Sequence, residues 1–158
     1  MSWIDDEANK STESENETKR VQEVLWRSGY WAALVKQVET DVQAINTHPV
    51  WQKKLAGFPL RFGPPTMSDG NTYQISKSGF PAVLVEFQHQ RDHVMVARRF
   101  TENPLSRERE FASKEKLSIG VMGETVVLTD RNDITYVVPE HASQYLLKAI
   151  IESLKITP

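Results

Sequence analysis

The feature that most constrains this chain is a series of strand-like runs joined by links too short to cross over. Pro81–Gln88 and His93–Thr101 alternate apolar and polar residues on either side of a turn around Gln90-Arg91. Leu117–Val121, Thr125–Thr129 and Ile134–Val138 follow, joined by Met122-Gly-Glu124 and Asp130-Arg-Asn-Asp133, both rich in turn-forming residues. A parallel pair needs a connection of a dozen residues or more, so these runs must pair antiparallel. Upstream, Thr72–Lys77 alternates more weakly, and Leu60–Phe62 reads as a short edge strand among Gly and Pro. The expected sheet has about five to seven strands.

In the central hairpin we place Phe87 opposite Val94 and Val85 opposite Val96. One face then carries Val83, Val85, Phe87, Val94, Val96 and Phe100, which makes it the core face. The segment 103–116 is ambiguous. Asn103 followed by Pro104 is a helix start signal, and we favour a helix. A twisted strand through Arg107, Arg109 and Phe111 is the alternative.

Helices flank the strands. Ser14-Glu-Asn-Glu17 fits a capping box. Beyond it Val21, Val24, Trp31, Val35, Val38, Val42 and Ile45 recur at heptad spacing. Trp26, Tyr30 and Leu34 add apolar area on a neighbouring face. A helix from Arg20 to Asn46 would be about 40 Å long, as wide as a compact domain of this size, roughly 39 Å. Pro49 should end it by His48. At the other end Pro139–Lys155 is amphipathic, with Tyr145, Leu146, Ala149, Ile150 and Leu154 on one side. The expected fold is α+β: an antiparallel sheet covered by a long N-terminal and a C-terminal helix, one domain over residues 14–158.

Residues 1–18 hold six acids and one base, a net −5, and the other 140 residues hold 15 acids and 18 bases, a net +3. Residues 1–13 therefore read as a disordered acidic arm before a mildly basic body. A net +3 does not argue for nucleic acid. The N-terminal Met-Ser-Trp-Ile-Asp-Asp is not a secretory signal, and no apolar run approaches a membrane span, so a cytoplasmic protein is expected. With no cysteine the chain offers no thiol nucleophile and no thiolate metal ligand. Neither a phosphate loop, a dinucleotide fingerprint nor a nucleophile elbow is present. No cofactor or metal is expected.

A few constellations could carry chemistry. Glu86 and His93 are diagonal neighbours in the hairpin register above, the minimum for general acid–base work. His89 and His93 stand four apart, a zinc spacing on a helix but not at a hairpin tip. Arg98, Arg99, Arg107 and Arg109 could gather into a site for an anionic ligand. Trp26, Tyr30, Trp31 and Leu34 could form an interface, because one sheet cannot cover two apolar faces of the same helix. The favoured expectation is a non-enzymatic domain for self-association, as a homodimer, or for binding another protein. The alternatives are a small-ligand or catalytic pocket between sheet and helices, and a weak anion or nucleic-acid binder.

Overall fold

Short links and alternation produce one antiparallel meander. The structure, a computed structural model, describes residues 2–65, 70–79, 82–101 and 110–155, with backbone alone at 26, 27, 110 and 111. The strands are β1 (Arg61–Gly63), β2 (Thr72–Lys77), β3 (Ala82–His89), β4 (His93–Thr101), β5 (Glu110–Met122), β6 (Thr125–Thr129) and β7 (Thr135–Val137). They form a seven-stranded sheet in chain order, each strand antiparallel to the next. Among the described residues four helices accompany them: α1 (Trp3–Ser28), α2 (Tyr30–Thr47), α3 (Pro49–Leu55) and α4 (Glu140–Lys155). This is the α+β class expected. Among the described residues no helix is long and apolar enough to cross a membrane.

The central hairpin keeps the expected faces but not the expected pairs. Phe87 stands opposite Val96 and His89 opposite Val94. The hairpin closes where Gln90 N–H donates to the His93 carbonyl at 2.8 Å, so the turn is Arg91-Asp92. A slip of two residues leaves every side chain on its own face, so alternation alone cannot choose between the two registers. Val83, Val85, Phe87, Val94 and Val96 are all buried as the alternation requires.

Residues 110–116 are strand, not helix. β5 pairs with β4 from Thr101↔Glu110 to His93↔Ser118. That long ladder overrides the weak strand preference of Ala-Ser-Lys-Glu-Lys. Residues 104–109 lie outside the described residues.

The N-terminal helix also departs from expectation. Ser2 caps it, accepting from Asp5 N–H at 3.4 Å, and Asp5 and Asp6 complement the helix dipole in its first turn. Residues 3–13, read as a disordered arm, are therefore the start of α1. Ser14 lies within the helix, its carbonyl accepting from the Thr18 hydroxyl at 3.0 Å. The continuous helix expected from Arg20 to Asn46 is broken at Gly29, which is left-handed at φ 58° and ψ 33°. An L-residue there costs roughly 1–2 kcal/mol. After the break α2 buries Leu34, Val38, Val42 and Ile45. Pro49, which stops α2, opens α3 behind the His48 cap.

α2 and α4 share one face of the sheet. Leu34, Val38, Val42 and Ile45 meet Leu146, Leu147, Ile150 and Leu154 over Ile75, Val85, Phe87, Val96 and Leu117. Each such side chain, fully buried, contributes about 1.5–3 kcal/mol.

The two faces differ enough to test. Val85→Asp places an unpaired carboxylate in the core, which costs several kcal/mol against a total stability of about 5–15. It should abolish the cooperative melt seen by circular dichroism. Gln88→Asp, on the opposite face, should melt within a few degrees of the parent, and equal damage from both would mean that the faces are misassigned.

Candidate functional site

The face of the sheet turned away from α2 and α4 is built from cross-strand rows. Arg61, Ser76, Leu84, Arg99 and Ala112 align across β1–β5 in one row. Gly63, Gln74, Glu86, Ala97 and Lys114 align in the next. Short side chains at Ala97 and Ala112 leave a hollow of about 310 Å³ between Leu84, Arg99 and Lys114. A second hollow of about 320 Å³ shares Leu84 and Arg99 and runs to Arg61. Together they form a shallow groove with an apolar floor. Among the described side chains of this face on β1–β5, the bases are Arg61, Arg99, Lys114 and Lys116, and the acid is Glu86. Glu86 accepts from Gln74 Nε2 at 2.7 Å, which fixes its carboxylate along the sheet.

The candidate residues read from sequence are scattered by this geometry. Glu86 stands opposite Ala97, while His93 sits at the turn and pairs with Asp92 at 2.7 Å. The two-residue shift in register has separated them, so the acid–base pair is not formed. His89 points to the core face and His93 to the other, so they cannot chelate one ion. Among the described residues no three His, Asp or Glu side chains gather where they could hold a metal. Arg98 and Arg99, adjacent in β4, point to opposite faces, Arg99 to the groove side and Arg98 towards Glu115 under α4. Arg107 and Arg109 lie outside the described residues. Arg61 and Lys114, which complete the basic rim, were missed. Lys114 reaches the groove because β5 pairs with β4 and sets it opposite Ala97.

The interface residues turn inward. Leu34 is fully buried. Trp31 packs on Phe87 and His89, with ring centroids 5.7 and 5.2 Å away, and donates to the Gly70 carbonyl at 3.2 Å. Tyr30 bonds through its hydroxyl to His89 Nε2. Burial pushes the Tyr30 phenol up to about 12 and lowers the pKa of His89. The turn at Gly29 brings these residues of α2 down onto β2 and β3, where Leu34 is buried and Tyr30 and Trp31 stay partly exposed. The Trp26 side chain lies outside the described residues.

Arg98 belongs to a polar cluster under α4. Its Nη1 lies 3.3 Å from Glu115 Oε2, and its guanidinium stacks 4.7 Å from the Tyr145 ring. Tyr145 donates to Glu115, and its ring is 4.5 Å from that of Tyr136. Tyr136 in turn donates to Asp130 at 2.9 Å. Desolvation, aided by the bond to Asp130, pushes the Tyr136 phenol up to about 12. Beside the cluster a cleft of about 670 Å³ opens between α2, β7 and α4. Ala44, Ile45, Leu147 and Ile151 line it, with Asp41, His141 and Lys148 among its polar groups. Asp41 is held by Ser143 Oγ at 2.6 Å and by Gln37 Nε2 at 3.0 Å.

No protein-family model matches the chain, no curated protein is significantly similar to it in sequence, and no solved structure matches it significantly.

The Tyr30–Trp31–His89 contact has a titration signature. With its folded pKa below the unfolded value of about 6.5, His89 stabilises the fold fully above that value. The contribution is lost as pH falls towards the folded pKa. Imidazole resonances followed by NMR should give His89 a midpoint below 6.5. A midpoint at or above that value would show a solvated ring, not one packed against Tyr30 and Trp31 of α2.

Proposed function

We propose that the chain is a non-enzymatic protein-binding domain that takes an acidic, amphipathic segment of its partner on the outer face of the sheet. The carrying observation is the groove over Leu84, Ala97 and Ala112, rimmed by Arg61, Arg99 and Lys114. A sheet with helices on one side leaves its second face to water unless another element covers it. Small residues under a basic rim suit a helix that carries its apolar side chains down and its acids outward. Opposed charges also steer the encounter and exclude basic partners. Against catalysis stands the separation of Glu86 from His93.

A second possibility has its own observation. The cleft between α2, β7 and α4 has the size of a small-ligand pocket, an apolar lining and convergent polar groups. A compound with an apolar body and a polar end would fit that lining.

The two are separable by NMR. Amide spectra of the full chain would be followed while adding a synthetic acidic helical peptide of unrelated sequence, with Trp and Leu along one face. Shifts should appear at Leu84, Ala97 and Ala112, and Arg61→Glu with Lys114→Glu should weaken binding at least about tenfold. Shifts confined to Ala44, Leu147 and Ile151, or none at millimolar peptide, would overturn the outer-face proposal.

A further inference from the structure

We infer that the acidic segment docked on the outer face is the projecting half of α1 from a second copy of this chain, exchanged reciprocally between two molecules. The inference rests on the protein-binding function proposed above. It starts from an arm that buries none of its residues among the described residues of its own molecule. Every residue from Ser2 to Arg20 is exposed, yet the segment is helical throughout. Those turns extend about 27 Å at 1.5 Å per residue. An isolated helix of this length is marginal in water, and helices in proteins draw most of their stability from a packed face.

The arm ends in Trp3, 75% exposed, and Ile4, 60% exposed. Ala8 lies one turn along from Ile4, so the three make a small apolar face at the tip. Asp5, Asp6 and Glu7 flank it. From Trp3 to Thr18 the arm has six acids against one base. Its composition is thus complementary to the groove in both respects: a bulky apolar tip for a floor of Leu84, Ala97 and Ala112, and carboxylates for a basic rim.

The arm cannot reach its own groove. α1 runs unbroken from Trp3 to Ser28 and packs by its C-terminal part against β5 and β6, with Val24 buried. Leu25 of that part packs with Ile119 against the core on the helix-covered side of the sheet, and a straight helix does not turn round the edge to the other side. Only another molecule can offer the groove. Arm-to-groove contact in both directions gives a closed twofold dimer in which each contact occurs twice. Groove-to-groove association is disfavoured, because it would oppose Arg61, Arg99 and Lys114 to their own copies.

Charge reversal tests this with the full-length chain. The arm variant carries Asp5→Lys, Asp6→Lys and Glu7→Lys; the groove variant carries Arg61→Glu, Arg99→Glu and Lys114→Glu. Sedimentation equilibrium at micromolar concentration and low salt should show a dimer for the parent, weakening as salt rises. Each variant alone should dissociate at least about tenfold more readily. Mixed in equal amounts, the two variants should recover the dimer, because both arm–groove contacts become attractive again in the mixed pair. That recovery cannot come from misfolded chains. A parent monomeric across the range, or a dimer unaffected by either variant, or no recovery on mixing, would overturn the exchange. If the acidic peptide still shifts Leu84, Ala97 and Ala112, protein binding stands and the partner is a different chain; if it does not, both fail together.

Discussion

Phe87 holds the two layers of this protein together. It is fully buried, with the ring of Trp31 from α2 at 5.7 Å and those of Tyr73 and Phe62 from β2 and β1 at 6.0 and 6.4 Å. One side chain thus joins three strands and a helix through an aromatic stack, in which each pair adds about 0.5–1.5 kcal/mol beyond its buried area. The direction of α2, and with it the Leu34–Val38–Val42–Ile45 stripe, follows from seating Trp31 there. That stripe in turn decides where α4 can lie, since the two helices divide the same face between them.

Both helices lie on one face, and among the described residues no helix lines the hollows on the other. Alternation then forces a second set of residues into view, and these are not neutral spacers. Alanines at 97 and 112 make the surface concave, and bases from three different strands converge on the hollow. β5 is central to this. It sends Leu117 and Glu115 into the helix-covered layer and Ala112 and Lys114 into the groove, so one strand serves both surfaces. The inward charge of Arg98 is matched at Glu115 and by the Tyr145 face, while Arg99 points to the other face, beside Ala112.

Much of this was legible in the residues. The strands from Thr72 onward, the amphipathic C-terminal helix and the membership of the core face follow from period-two and period-3.6 patterns, which are strong where one face is buried. The failures share a cause. Residues 110–116 lack a periodic apolar signal, and their strand state comes from pairing with β4, a contact distant in sequence. The hairpin register was open because a shift of two residues costs nothing in burial. Residues 3–13 carry no apolar period, so their helical state rests on the Ser2 cap and first-turn acids and not on packing. The groove was half legible: Glu86 and Arg99 shared a face in the sequence pattern, but Arg61 and Lys114 needed the three-dimensional rows. The pairing of Arg98 with Arg99 as one patch contradicted strand alternation and could have been rejected without a structure.

The left-handed residue at position 29 has a geometric consequence for how this chain can change over time. Because the turn isolates α1 from α2, the length of the first helix is not tied to the core. A residue inserted between Thr12 and Thr18 would advance the tryptophan tip by about 1.5 Å and rotate it by about 100° about the axis, while Leu34 and Phe87 stay in place. Seven inserted residues would restore nearly the same heading about 10 Å farther out. The first helix is therefore an adjustable ruler mounted on a fixed base, and its phase as well as its length sets what its tip can meet.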